Sequence, residues 1–408
     1  MKRIFIFLAV LLISLTALGQ TDSPVLNEFI SKYNELENKY EETYNKKDFK
    51  QTELFLKEQI ALIENVKLSD TEISKFQSDI DNIKANAYYN LACTYSLSNQ
   101  KKQAIEAFEK SVGLGYKDYY HTLEDTDLDN IRNEKRFVSL MKEIYDKTYL
   151  SILKQAGGYE KSDTVGLPHF YYETSQNARL QDVKTFFKLD SIAENGDEIS
   201  KILNIMYWIH NNIRHDGNNY ALAEFDAIDL YNYHKSTDKG INCRHLAISL
   251  NEMYLSMGWK SRYVTCLPKD EKDQDCHVIN SVWIDSLQKW IWIDPTFAAY
   301  VKDENGNFLG IREVRERLID GRPLILNEDA NWNNQNKQTK EQYLMNYMAK
   351  NLYWLKVPVS SQFNPESRYR NNVNNYVSLL PIGYTRSNME NLETITHDPD
   401  YFWQIPEK

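Results

Sequence analysis

From Cys243 onward, apolar residues recur at the three-and-four spacing of one helix face: Leu246, Ala247, Leu250, Met253, Tyr254 and Met257. Gly258 falls where a left-handed cap would end such a helix, so the pattern predicts a helix that opens at Cys243 and buries one side. The period then changes to two. Val278, Asn280 and Val282 alternate with Ile279, Ser281 and Trp283; Asp285-Ser286-Leu287-Gln288-Lys289 makes a polar turn, and Trp290, Trp292 and Asp294 share one face of a returning strand. Pro295 cannot donate to a ladder and suits a strand that ends there. Helical spacing also covers Asn27 to Val66, Ile199 to Ile213 and Ile311 to Ile319. Lys154 to Asp163, with Gly157-Gly158, is the best linker, and Asp303 to Asn307 suggests a hairpin turn. Asn327 to Gln338 is rich in Asn, Gln and Lys, and the last seventy or so residues have the pattern of strands and irregular turns, which could extend the catalytic sheet or cap the cleft.

This layout places chemistry in order. Cys243 stands in the first turn of its helix, where unpaired N–H groups and the positive end of the dipole favour a thiolate and could stabilise an oxyanion. His277 and Asp294 lie on two antiparallel neighbours that can bring imidazole and carboxylate together, the Asp fixing the His tautomer and stabilising the imidazolium. Taken alone, Cys243 would be a small core residue, His277 a satisfied core histidine and Asp294 a turn residue; the weight lies in the set. His245 is two positions past Cys243, about 200° around the helix, and should not face the thiol. Cys276 neighbours His277 on a strand and points to the opposite face. His210 and His215, in Tyr-Trp-Ile-His-Asn-Asn-Ile-Arg-His, stand near the end of the preceding helix; they could line a cleft, and a surface place is the first expectation.

The run from Gly240 to Pro295 resembles the transglutaminase-like superfamily. The resemblance is carried by Gly-Ile-Asn-Cys opening a helix, Leu-Ser-Met-Gly-Trp-Lys-Ser-Arg-Tyr-Val at 255 to 264, His277 before a hydrophobic strand, and Lys-Trp-Ile-Trp-Ile-Asp-Pro-Thr at 289 to 296. It implies an α+β, papain-like core, with the cysteine helix packed on an antiparallel sheet. It also implies Cys243 as nucleophile, His277 as general base and acid, and Asp294 as orienter. His277 is followed by Val278-Ile279 rather than the Ala-Trp frequent in that family, which leaves substrate choice open. Upstream, Tyr88, Leu91, Ala92, Tyr95, Ala104, Phe108 and Ser111 resemble the packing positions of a tetratricopeptide repeat, Ser111 standing for the usual Ala. A degenerate second copy is expected around Tyr44, Asp48, Phe49 and Leu54, and Asp125 to Phe137 resembles the tail that follows such repeats. A repeat cannot bury its face alone, so neighbours must stack on it; a docking groove and a rigid spacer are both consistent with it.

Length, charge and cysteines then set bounds. The 408 residues permit two or three domains, and a net charge of −10 disfavours a nucleic-acid or anionic-membrane role. Lys2 and Arg3 precede an apolar run from Ile4 to Gly19, short of the ~20 residues of a membrane span, so a signal peptide cleaved before Gln20 is expected, with a soluble, exported product. In an oxidising compartment Cys266 and Cys276 would staple the acidic loop Leu267 to Asp275, or remain two thiols. Cys93 is expected to be packing. No zinc-finger spacing, His-Glu-x-x-His or phosphate-binding Gly loop occurs, so no metal or cofactor is expected. The expected organisation is a signal peptide (1–19), a repeat-like helical domain (21–150), a linker and lead-in (151–198), a catalytic core (199–330) and a C-terminal extension (331–408). The expected activity is a cysteine enzyme acting on amide bonds of a protein, peptide or glycopeptide, with hydrolysis preferred to amine cross-linking and a noncatalytic scaffold as the alternative. A protein partner at the repeat segment is also expected.

Overall fold

The computed structural model describes residues 23–161, 166–367, 375–387 and 393–407. The chain divides after Thr148 into two units. The expected leader, 1–19, lies outside the described residues, and no helix among those described is long and apolar enough to cross a membrane.

The first unit is helical because its apolar residues keep the helical period and its caps are polar. Helix α1 (Pro24–Asn45) follows the Ser23 cap, α2 (Phe49–Asn65) starts on Asp48, and α3 (Asp70–Leu97) starts on a reciprocal Ser69–Glu72 capping box. Helix α4 (Lys101–Gly113) returns along α3. Leu91, Ala92, Tyr95, Ala104, Phe108 and Ser111 are buried, and Tyr88 packs at the margin of the same core. Ser111 accommodates its hydroxyl by donating to the Ala85 carbonyl at 2.7 Å. In the expected second copy the inward positions are Thr52 and Leu56; Leu54 is exposed, one helical step off the buried face. The tail forms a 3-10 turn, Thr126–Ile131, and a helix, Lys135–Asp146, whose Phe137 stacks on Phe108.

The second unit is built on a six-stranded sheet. Its strands are β1 (Ser261–Leu267), β2 (His277–Ile284), β3 (Lys289–Ile293), β4 (Trp354–Pro358), β5 (Tyr376–Leu379) and β6 (Glu393–Thr396), ordered β6-β5-β4-β1-β2-β3. All neighbours are antiparallel except β5 and β6, so the sheet is mixed rather than purely antiparallel. Cys266 lies opposite His277, and Asn280 opposite Ile293. Overall the protein is α+β.

Apolar cores lie on both sides of β2 and β3. Val278, Val282, Ile291 and Ile293 pack with helix α8 (Cys243–Ser256), while Ile279, Trp283, Trp290 and Trp292 pack with residues of the C-terminal segment. Helices α5 (Ala178–Phe187), α6 (Glu198–Asn212) and α7 (Ala227–Thr237) enclose α8, so every residue from His245 to Ser256 is buried, not one face alone. The one-sided expectation missed Ser249, Asn251 and Glu252, which are buried with hydrogen bonds: the Glu252 carboxylate accepts the Ala227 and Asn364 N–H groups. The helix ends at Ser256, and Gly258 takes the left-handed conformation, φ 92°.

The segments on either side of the expected core pack with it, and of the two roles open for the last residues they take the extension of the sheet. Residues 151–198 contribute Leu153, Leu180, Val183 and Leu189, all fully buried, to the two cores, and 331–408 supply three strands of the central sheet. A segment with such burial folds with its unit. The last seventy residues also contain a π-helical turn, Glu341–Met348, where strands and turns were expected.

Candidate active site

Cys243 opens α8 directly after the Asn242 cap, whose side chain accepts the His245 N–H at 3.0 Å. The first turn is held from outside. Arg244, next to the thiol, bonds Glu366 at 2.9 Å and Thr265 Oγ1 at 3.1 Å, while Tyr263 and Tyr376 donate to the same Glu366 oxygen. Burial would raise the Glu366 carboxyl, but the Arg244 charge and these donors hold it below the usual range.

His277 begins β2 and Asp294 follows β3, and antiparallel pairing of the two strands brings them together: His277 Nε2 lies 2.7 Å from Asp294 Oδ2, and both are buried. Nδ1 of His277 is buried without another hydrogen-bond partner and is the nitrogen left for the thiol. Asp294 is itself oriented. Tyr343 donates to Oδ2 at 2.5 Å, the Thr296 and Phe297 N–H groups reach Oδ1, and Trp292 Nε1 donates to Tyr343. Phe297 and Tyr347 meet the His277 ring edge-on at 5.5 and 5.2 Å.

The electrostatics follow from these contacts. Burial alone would raise the Cys243 thiol, but hydrogen bonds from His215 and His277, and the charge on His277, outweigh it and bring it from 9.0 down to about 6. Burial would lower His277, but the Asp294 charge and hydrogen bond, then Cys243, raise it from 6.5 to about 10. Between those values the site rests as a thiolate–imidazolium pair. Alkylation of Cys243 is therefore expected to rise as pH increases through about 6 and to hold a plateau to about 10. A rate that first rises near pH 9, measured by peptide mass mapping, would remove the ion pair.

Neither His210 nor His215 takes the surface place expected first; His215 takes the alternative and lines the cleft at the thiol. His210 is buried, its Nδ1 3.0 Å from the Pro295 carbonyl and its Nε2 3.0 Å from Asn331 Oδ1. His215 stands at the thiol, on the segment Arg214–Asp216 that bridges to Ile241 just before the cysteine helix. The surface expectation failed because residues far along the chain, Pro295 and the hairpin at 331–337, cover this end of α6. His245 faces Tyr220 and Phe225, away from the thiol as its helical position implies.

Gly240 permits the bridge. A Cβ there would stand 2.8 Å from the Arg214 carbonyl and 3.0 Å from the Asp216 nitrogen, both backbone. Gly240→Ala is expected to push the His215 segment off the cysteine helix, destabilising the fold by about 1–3 kcal/mol and slowing Cys243 alkylation at pH 6. Urea melts and alkylation rates both at the wild-type level would show that the contact yields freely.

The cysteines are free thiols. Cys266 is buried in the sheet's core and Cys276 is half-buried, so the acidic loop is held otherwise: Lys350 bonds Asp273 at 3.0 Å and Asp275 at 2.8 Å. Among the described residues Cys93, Asp125 and Asp127 could group around a metal, yet they are already bonded, Tyr89 and Cys93 to Asp125 and Tyr44 to Asp127.

Comparison with known proteins places this geometry. Residues 188–295, which include the thiol, the imidazole and the carboxylate, match the family model of the transglutaminase-like superfamily. The chain carries a transglutaminase-like domain. Residues 85–114 match a tetratricopeptide repeat, which lies N-terminal to that domain. Over 65 residues the chain is 35% identical to a chloroplastic protein of Arabidopsis thaliana, a match that covers 16% of this chain and only 19% of that protein. The structure brings His277 and Asp294 within hydrogen-bond distance and sets His215 beside Cys243; Tyr343 and Tyr347, which also border this place, were not among the residues that the sequence singled out. Tyr343, Leu344, Tyr347 and Met348 recur at helical spacing in an otherwise polar stretch, a signal that was present.

Proposed function

We propose that this protein is an exported cysteine hydrolase whose transglutaminase-like domain cleaves amide bonds of a protein, peptide or glycopeptide, with Cys243, His277 and Asp294 as its catalytic residues. The observation that supports it most is the buried imidazole–carboxylate pair, 2.7 Å apart, with the free imidazole nitrogen left for a thiol at the start of a helix. The Cys243 thiolate attacks the carbonyl carbon. His277 gives its Nδ1 proton to the leaving amine as the C–N bond breaks, and a thioester remains. Water then adds, its proton passing to His277, and the C–S bond breaks to release a carboxylic acid.

Water is favoured over an amine acceptor by the setting of His277. The ring is 1% exposed and flanked by Phe297 and Tyr347, so the activated acceptor must be small. Export rests on the charged-then-apolar leader pattern of 1–19, and the tetratricopeptide repeat supports a protein partner docking on the first unit. Peptide and glycopeptide libraries, scored in parallel for released amine and for incorporated amine, test the reaction class. Release alone supports hydrolysis, incorporation alone makes the protein a cross-linker, and neither with any substrate turns the reading to a scaffold that recruits through its repeat. N-terminal sequencing of protein recovered outside the cytoplasm tests export: a start at Gln20 supports it.

A further inference from the structure

The Asn-rich segment at 331–337 forms a hairpin, Asn331–Trp332 paired with Asn336–Lys337, and it grips His215 at three points. Asn333 Oδ1 accepts the His215 N–H at 2.8 Å and Asn333 Nδ2 donates to the His215 carbonyl at 3.0 Å, while Trp332 Nε1 donates to His215 Nδ1 at 2.9 Å. Asn333 and Asn334 both have positive φ, 54° and 57°, which Asn tolerates better than most residues. The segment's composition thus serves a tight turn that aims Trp332 and Asn333 at one histidine.

The chemistry of that bond is one-directional. An indole N–H can only donate, so His215 Nδ1 must be the acceptor and the ring's proton sits on Nε2. With Nδ1 engaged, Nε2–H is the donor that remains for Cys243. We propose that Trp332 is a positioning residue that holds His215 as a neutral Nε2–H donor at the thiol, so that the site carries one charged imidazole, His277, and one neutral one.

The division of labour has a physical reason. His277 must hold a proton for the leaving amine, whereas a second imidazolium would stabilise the thiolate further and blunt its attack. A neutral donor instead bonds the thiolate at rest and can follow the charge to the carbonyl oxygen as the oxyanion forms, joining the first-turn N–H groups of α8. Around the ring, α8 supplies one titratable group, Cys243, and the hairpin side chains that touch it, Trp332 and Asn333, are neutral. On its own segment Asp216 Oδ1 is taken by the Asn218 N–H.

The inference rests on the proposed thiol chemistry, and its test is separable from it. Long-range 1H–15N spectra of the intact protein, with the His215 signals assigned by His215→Gln, read the tautomer without substrate. The expected result is a ring protonated on Nε2 and accepting at Nδ1, and a loss of that fixed tautomer in Trp332→Phe, where Nδ1 has lost its donor. In parallel, hydrolysis in Trp332→Phe falls about tenfold in kcat with KM unchanged. A His215 that is charged or protonated on Nδ1 in the wild type overturns the proposal, as does a Trp332→Phe spectrum identical to wild type. An inert Cys243 beside an Nε2–H His215 overturns the hydrolase reading and leaves the tautomer assignment standing.

Discussion

Cys243→Ser is expected to abolish amide hydrolysis, by on the order of 10^6-fold, while leaving a folded protein that still binds its substrate. The substitution changes one atom, yet it removes the property that the surroundings create. His215 and His277 together bring a thiol down to about 6 against burial, whereas a serine hydroxyl starts so much higher that the same neighbours cannot ionise it. The resting ion pair is lost, and attack would need proton removal in the transition state by an imidazole that Asp294 already holds protonated. The nucleophile is half-buried against the apolar core, so Ser fits the space and the thermal midpoint should stay within a few degrees. The check is parallel: product release measured in excess substrate, and substrate binding by calorimetry. Residual turnover within a hundredfold of wild type would mean that another group carries the chemistry.

How much of this could be seen beforehand depends on the distance over which each contact is encoded. The Cys243 helix and the two strands were legible because their signals are local: a 3.6-residue period, a change to period two and a polar turn between two aromatic-rich runs. Once the strands pair, the meeting of His277 with Asp294 follows, since both lie within 17 positions of each other. His215 was expected first at the surface because what covers it arrives 117 positions later as Trp332. Tyr343, the second donor to Asp294, lies 49 positions from it in a π-helical turn, a geometry that no simple period announces. The mixed sheet was missed for the same reason. Strand β6 joins β5 in parallel, and a short strand's pairing direction is set by the path of the chain between, not by its own residues. The burial of α8 on every side was hidden differently: Ser249, Asn251 and Glu252 look like an exposed face until α7 and the 361–364 segment supply partners for Asn251 and Glu252, while Ser249 turns its hydroxyl to the His245 carbonyl of its own helix.

Asp294→Asn is expected to lower hydrolysis by about 10^4-fold with little change in substrate binding. Two effects act together. The amide presents one acceptor and two donors where the carboxylate presented only acceptors, yet the site offers donors on both sides, His277 Nε2–H and the Tyr343 hydroxyl toward Oδ2 and two backbone N–H groups toward Oδ1. An amide N–H turned toward His277 forces the proton onto Nδ1 in the neutral ring, the wrong state to accept the thiol proton. The charge is also gone. The Asp294 carboxylate is the largest influence raising His277 to about 10 against burial, so without it the buried ring gives up its proton at lower pH. The sign of the pH effect follows. His277 is raised in the native protein, so the stability it contributes is complete below its unfolded value and is lost as pH rises through about 10; in the variant that contribution is lost at lower pH, and the alkaline limb of the activity profile moves down with it. The acid limb moves the other way, because a less protonated His277 no longer holds the thiol near 6. Plateau width, read from the pH profile of hydrolysis, should therefore shrink from both ends. Tyr343→Phe removes one neutral donor and leaves the charge, so it should narrow the plateau far less; equal narrowing in the two variants would show that orientation, not charge, is what Asp294 supplies.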